Sequence, residues 1–119
     1  MATAKKKSPA PRAARLSHNV YVVELASEVL SDRRFRRRNP GYVEGKPCVY
    51  VGMTGLSVAE RFKNHKRGHK GNVFVLRFGT RLLPELFAHL NPMPYEAALT
   101  MEQELADELQ QAGYGVWQA

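Results

Sequence analysis

Pro47-Cys48-Val49-Tyr50-Val51-Gly52 is a β-branched and aromatic run that ends at a glycine, the composition of a buried strand closing in a turn. Gly55 continues the turn, and Ser57-Val-Ala-Glu60 follows as a capping box. In such a box the Ser57 hydroxyl accepts from the amide of residue 60 while Glu60 reaches back. The spacing predicts a helix through about Lys66, stopped by Gly68 and Gly71. A strand, a turn and a capped helix in one stretch place the chain in a mixed class.

Working outward, Val20-Tyr-Val-Val-Glu-Leu25 is a second strand of the same type. Residues 26–46 separate the two; they carry Arg33, Arg34, Arg36, Arg37 and Arg38, then Asn39-Pro-Gly41 and Gly45, and read as a long basic loop with a short helical turn around 27–35. Downstream, Asn72-Val-Phe-Val-Leu-Arg-Phe78 predicts a third strand, and residues 81–90 a short apolar helix or turn. Pro92 and Pro94 precede a helix from about Tyr95 to Ala112, with Gly113 as its left-handed cap. Tyr114-Gly-Val-Trp117 packs back or pairs as a short strand. The expectation is an α+β domain: a small, mainly antiparallel three-stranded sheet flanked by helices.

A chain of 119 residues with 44% hydrophobic side chains has the length of one domain and the composition of a globular chain. The lone Cys48 excludes an internal disulfide and fits a reducing compartment. Residues 1–17 are expected to be a disordered basic tail and 18–119 the folded domain, with 26–46 inserted in it. No apolar run approaches membrane-span length, and no apolar stretch follows the basic N-terminus, so a cytoplasmic location without a membrane partner is expected.

The net charge of +7 is uneven. Residues 31–70 hold eleven basic and three acidic side chains, whereas 82–119 hold six acids and no Lys or Arg. Such a basic region favours a polyanionic partner. Three polar features stand where apolar residues belong. The last helix's apolar stripe runs Tyr95, Ala98, Leu99, Leu105, Ala106 and Leu109, and Glu102 lies on it. A carboxylate there is protonated, ion-paired, metal-bound, or at the stripe's edge in solvent. Arg61 and His65 are four apart beside Val58, Ala59 and Phe62; an Arg can fork phosphate oxygens and a His can exchange protons near neutrality. Tyr21 and Tyr50 sit on the two strands, where tyrosines are most often core residues.

In this order and on these elements the motifs resemble the GIY-YIG endonuclease superfamily. Asn19-Val-Tyr21 is similar to the GIY strand, and Tyr50-Val-Gly52, continued by Met53-Thr54, to the YIG strand. Arg61-Phe-Lys-Asn-His65-Lys-Arg-Gly68 resembles the arginine helix, and Ala98-Leu-Thr-Met-Glu102, with Leu105, Leu109 and Gly113-Tyr114, the glutamate helix. The chain departs from the pattern at Asn19 and Val20, at Gly115 in place of an asparagine, and in the 28 residues (22–49) between the strand motifs.

The resemblance implies hydrolysis of phosphodiester bonds, with Glu102 as the one protein carboxylate on Mg²⁺ or Mn²⁺ and Arg61 offsetting charge at phosphorus. Tyr21 or Tyr50 would position or deprotonate the attacking water, and His65 would take or relay the proton. Lys63, Lys66, Arg67, Lys70 and the arginines at 33, 34, 36, 37 and 38 would track the phosphate backbone. Nucleic acid is the expected partner, DNA ahead of RNA, with a protein partner or a homodimer left open. The rival readings are a catalytically inactive nucleic-acid-binding protein of the same fold, and an adaptor using the acidic 82–119 face. Cys48, His65, His69 and His89 match no standard zinc spacing.

Overall fold

Two strands, β1 (Asn19–Leu25) and β2 (Cys48–Thr54), pair antiparallel along their whole length in the computed structural model, which describes residues 15–119. Most of the tail expected at 1–17 lies outside the described residues. The sheet has four strands, not three. β3 (Gly79–Leu82) adds antiparallel to β1, and β4 (Gly115–Gln118) adds parallel to β2, giving the order β3-β1-β2-β4. The α+β class holds, but the sheet is mixed. Ser57 caps α2 (Val58–Lys66) as expected, its hydroxyl accepting from the Glu60 amide.

The predicted third strand is a helix. In α3 (Val73–Phe78) the Asn72 side chain accepts from the Phe74 amide and so caps the first turn. Phe74 and Val75 are buried and Phe78 half-buried, while Val73 and Leu76 are exposed; strand alternation would have grouped 74, 76 and 78 instead. The stretch read as a short apolar helix or turn at 81–90 begins as the end of β3 and continues as two 3₁₀ turns, Pro84–Leu86 and Ala88–Leu90.

Successive strand side chains face opposite ways. One face carries Tyr21, Val23, Tyr50, Gly52, Gly115 and Trp117, and the other Val20, Val22, Val49, Val51, Val116 and Gln118. The first face meets α2, α3 and α1 (Arg33–Arg38), through His65, Phe74 and Phe35. The second meets α4 (Tyr95–Gln111), which buries Ala98, Glu102, Leu105, Ala106 and Leu109. Tyr95 and Leu99, expected on that stripe, are 47% and 42% exposed. Gly113 ends the helix at φ +96°, a conformation that favours glycine.

The basic loop at 26–46 is more ordered than its composition predicts. A 3₁₀ turn (Ser27–Ser31) leads into α1, whose N-cap Asp32 accepts from the Arg34 and Phe35 amides. Phe35 is fully buried and packs on Gly115 and Trp117. Asn39 then ties the segment to β4: its amide donates to the Phe35 and Val116 carbonyls, and its oxygen accepts from Val116 N–H (2.8 Å) and Gln110 Nε2 (2.9 Å). Asn39→Ala strands both main-chain groups of buried Val116, and a loss of about 2–4 kcal/mol is expected from lost bonds and unmet desolvation. Urea unfolding followed by circular dichroism measures it.

Candidate functional site

Tyr21 and Gly52 are direct partners in the β1–β2 ladder, with Tyr50 on the same face. A Cβ at position 52 would sit 2.7 Å from Tyr21 Oη and 2.8 Å from its Cζ, so only glycine lets the phenol cross β2. In that row the sheet is two strands wide, because β3 pairs with residues 23–25 and the β4 ladder ends at the Val51–Gln118 pair. The Tyr21 hydroxyl thus lies at the narrow end of the sheet.

His65, in the last turn of α2, is fully buried against both phenols, with ring centroids 5.9 Å from Tyr21 and 5.4 Å from Tyr50. Its Nδ1 accepts from the main-chain N–H of Asn72 at 3.0 Å. A main-chain N–H can only donate, so the neutral ring carries its proton on Nε2 and donates it to Tyr21 Oη, 2.8 Å away. Burial, helped by the charge of Arg61, lowers the imidazole pKa to about 4. The expected proton-taking part does not fit this arrangement: both ring nitrogens are engaged, and the one facing Tyr21 is a donor.

Arg61 lies one turn earlier on α2, half-buried, and donates from Nη2 to the Lys70 carbonyl at 3.0 Å. Lys70 has a left-handed backbone (φ 51°) in the loop that returns to Asn72. Burial raises the Tyr21 pKa, with Arg61 and a hydrogen bond from Tyr50 opposing it. Burial raises Tyr50 too, and the neighbouring Tyr21 adds to the rise. Both phenols are therefore neutral at pH 7 here.

Glu102 approaches from α4, on the opposite face. It is 7% exposed, and its Oε1 accepts from Gln118 Nε2 at 3.2 Å. Burial raises its pKa. Its hydrogen-bond partner is Gln118 of β4, and its negative charge opposes ionisation of both tyrosines. Among the described residues no three His, Cys, Asp or Glu side chains are grouped to hold a metal, and Glu102 has no ion pair. A lone buried carboxylate suits only a hard cation that keeps most of its water or takes its other oxygens from a ligand.

The cations assigned to a phosphate track divide. Lys66 Nζ is engaged at the end of α3, donating to the carbonyls of Gly79 (2.8 Å), Leu76 (3.3 Å) and Val75 (3.5 Å). Arg67 bonds the Asn64 side chain. Lys63 and Lys70 are exposed on the same helix and loop as Arg61. The five arginines of α1 lie beyond Trp117, which is the β4 partner of Tyr50. The structure thus brings Tyr21, Tyr50 and His65 together with Arg61 one turn before His65, buries Glu102 on α4, and puts the α1 arginines at Trp117, the β4 partner of Tyr50. Gln118, Asn72 and the Lys70 carbonyl were not foreseen; only the position of Gln118, alternating with Val116, hinted that it shares a face with α4.

No family model, curated protein or solved structure matches the chain.

Because His65 titrates at about 4 when folded and near 6.5 when unfolded, between those values only the unfolded chain gains its proton. Stability is unaffected by this group above pH 6.5 and falls as pH drops toward 4, by ~3 kcal/mol across the whole window. Urea midpoints at pH 7 and 5 should show the drop beginning. His65→Gln, which can donate to Tyr21 but cannot titrate, should show a smaller one.

Proposed function

We propose that the chain is a divalent-metal-dependent endonuclease acting on DNA, of the GIY-YIG type its motifs resemble. The observation that supports it is the gathering of Tyr21, Tyr50 and His65, from two strands and a helix far apart in the chain, with Arg61 one turn before His65 and Glu102 buried on a second helix. Burying titratable groups costs desolvation that apolar side chains would not, and their clustering favours a functional site.

Tyr21 is the base in this reading. A phenolate at Tyr21 keeps the hydrogen bond from His65 Nε2 and the neighbouring charge of Arg61. His65 acts as a donor that steadies Tyr21, and Tyr50 orients the water. Arg61, anchored by the Lys70 carbonyl, faces charge on the phosphate oxygens. Glu102 would hold Mg²⁺ or Mn²⁺, which supplies positive charge at the phosphate and favours ionisation of nearby acids. Lys63, Lys70 and the α1 arginines contact the backbone.

The burial of both phenols favours one alternative, a nucleic-acid-binding protein that keeps this fold without cleavage. Incubation of supercoiled plasmid and of branched DNA with Mg²⁺ or Mn²⁺ separates the two. The wild-type chain should nick, Glu102→Ala should not, and Tyr21→Phe and Arg61→Ala should each slow cleavage by roughly a hundredfold or more. Absence of cleavage by the wild type, or undiminished cleavage by Glu102→Ala, overturns the nuclease reading.

A further inference from the structure

Helix α1 packs five arginines into six residues. Its like-charged neighbours stand three and four apart (Arg33 with Arg36 and Arg37, Arg34 with Arg37 and Arg38), and each such pair costs a few tenths of a kcal/mol. Among the described residues one ion pair, Arg34 with Asp32, offsets this. A helix this short also needs tertiary support, which Phe35 and Asn39 provide beside the local cap from Asp32. The fold therefore supports a concentration of positive charge that works against its own stability.

The arginines have different surroundings. Arg34 is tied to Asp32, Arg36 donates to the Leu30 carbonyl, and the Arg38 guanidinium lies 4.1 Å over the Trp117 ring. Arg33 and Arg37 make no hydrogen bond or ion pair among the described residues. Two concavities flank Arg37. One, of about 440 Å³, is lined by Arg33, Arg36 and Arg37; the other, of about 380 Å³, by Arg34, Arg37, Arg38 and Trp117. Among the described residues the first offers guanidinium alone, and the second adds an indole. Trp117 is also the register partner of Tyr50 on the same face, so the second concavity adjoins the candidate site.

We infer that this surface binds a single strand of nucleic acid leading away from Tyr21 and Tyr50, with phosphates at Arg33 and Arg37 and a base stacked at the Arg38–Trp117 pair. A single strand presents a phosphate and an unstacked base within one nucleotide, matching the two chemistries side by side. A duplex presents phosphates while its bases remain stacked, and leaves the indole unused. The inference takes its partner class from the proposed function and is independent of catalysis.

Trp117 is the chain's one tryptophan, and Arg38 lies over its ring, so its fluorescence reports on this surface. The full-length chain in EDTA, which removes any metal-dependent turnover, is titrated with a single-stranded DNA 12-mer, the same sequence as RNA, the DNA duplex, and inorganic tripolyphosphate. One or both single strands should quench Trp117, the stronger identifying the preferred sugar, while duplex and tripolyphosphate leave it nearly unchanged. Arg33→Ala/Arg37→Ala, at exposed positions that leave the fold intact, should weaken single-strand binding and lower the slope of log K against log salt by about 0.7 per arginine. Quenching by duplex or tripolyphosphate equal to that by single strands, no quenching by either single strand, or unchanged single-strand affinity in the double variant overturns the inference. Plasmid nicking without Trp117 quenching removes this surface and leaves the nuclease standing; quenching without nicking does the reverse.

Discussion

The imidazole of His65 sits without solvent between a main-chain N–H and a phenol, and the direction of both hydrogen bonds follows from the one donor that cannot reverse, the Asn72 amide. That bond closes the loop after α2, and the same loop presents the Lys70 carbonyl to Arg61. The other bond holds Tyr21 across Gly52. Sheet, helix and loop therefore meet at one ring whose protonation would turn an accepting nitrogen into a donor facing another donor. Burial and the nearby guanidinium keep the ring neutral, and the site's geometry depends on that neutrality.

The parts legible in the sequence are those set by local chemistry. The β1 and β2 runs, the Ser57 cap and the left-handed Gly113 each follow from a few adjacent residues. The run 72–78 reads as a strand because Val and Phe are strand formers by composition and seven residues hold too little periodicity to separate 2.0 from 3.6; the deciding group is the Asn72 side chain at its start. Pairing of β4 with β2 joins residues far apart in sequence, and the same is true of Asn39 with Val116.

The site was legible as residues but not as a circuit. Glu102 stood out because a carboxylate occupied an apolar stripe, and the burial at that position holds although the stripe itself is displaced from Tyr95 and Leu99. Its contact, Gln118, depends on a strand whose pairing is non-local. The direction of the Tyr21–His65 bond depends on a main-chain amide, which no residue type reveals. Lys66 shows the opposite error: counted as a free cation from its charge, it is held by three carbonyls at the end of α3.

A strand at a sheet's edge offers unpaired main-chain groups to any other chain that can extend beside it. β4 is such a strand, and the Asn39 side chain fills both main-chain positions of Val116 on its open side. Asn91 does the same at Val20, accepting from its N–H at 2.8 Å and donating to its carbonyl at 2.7 Å, in the row that β3 does not reach. Each amide acts as a strand one residue long that can neither be lengthened nor register-shifted. The carboxamides thus guard the sheet against self-association, doing with two side chains what other folds do with a covering helix, and leave the surrounding surface free for charge.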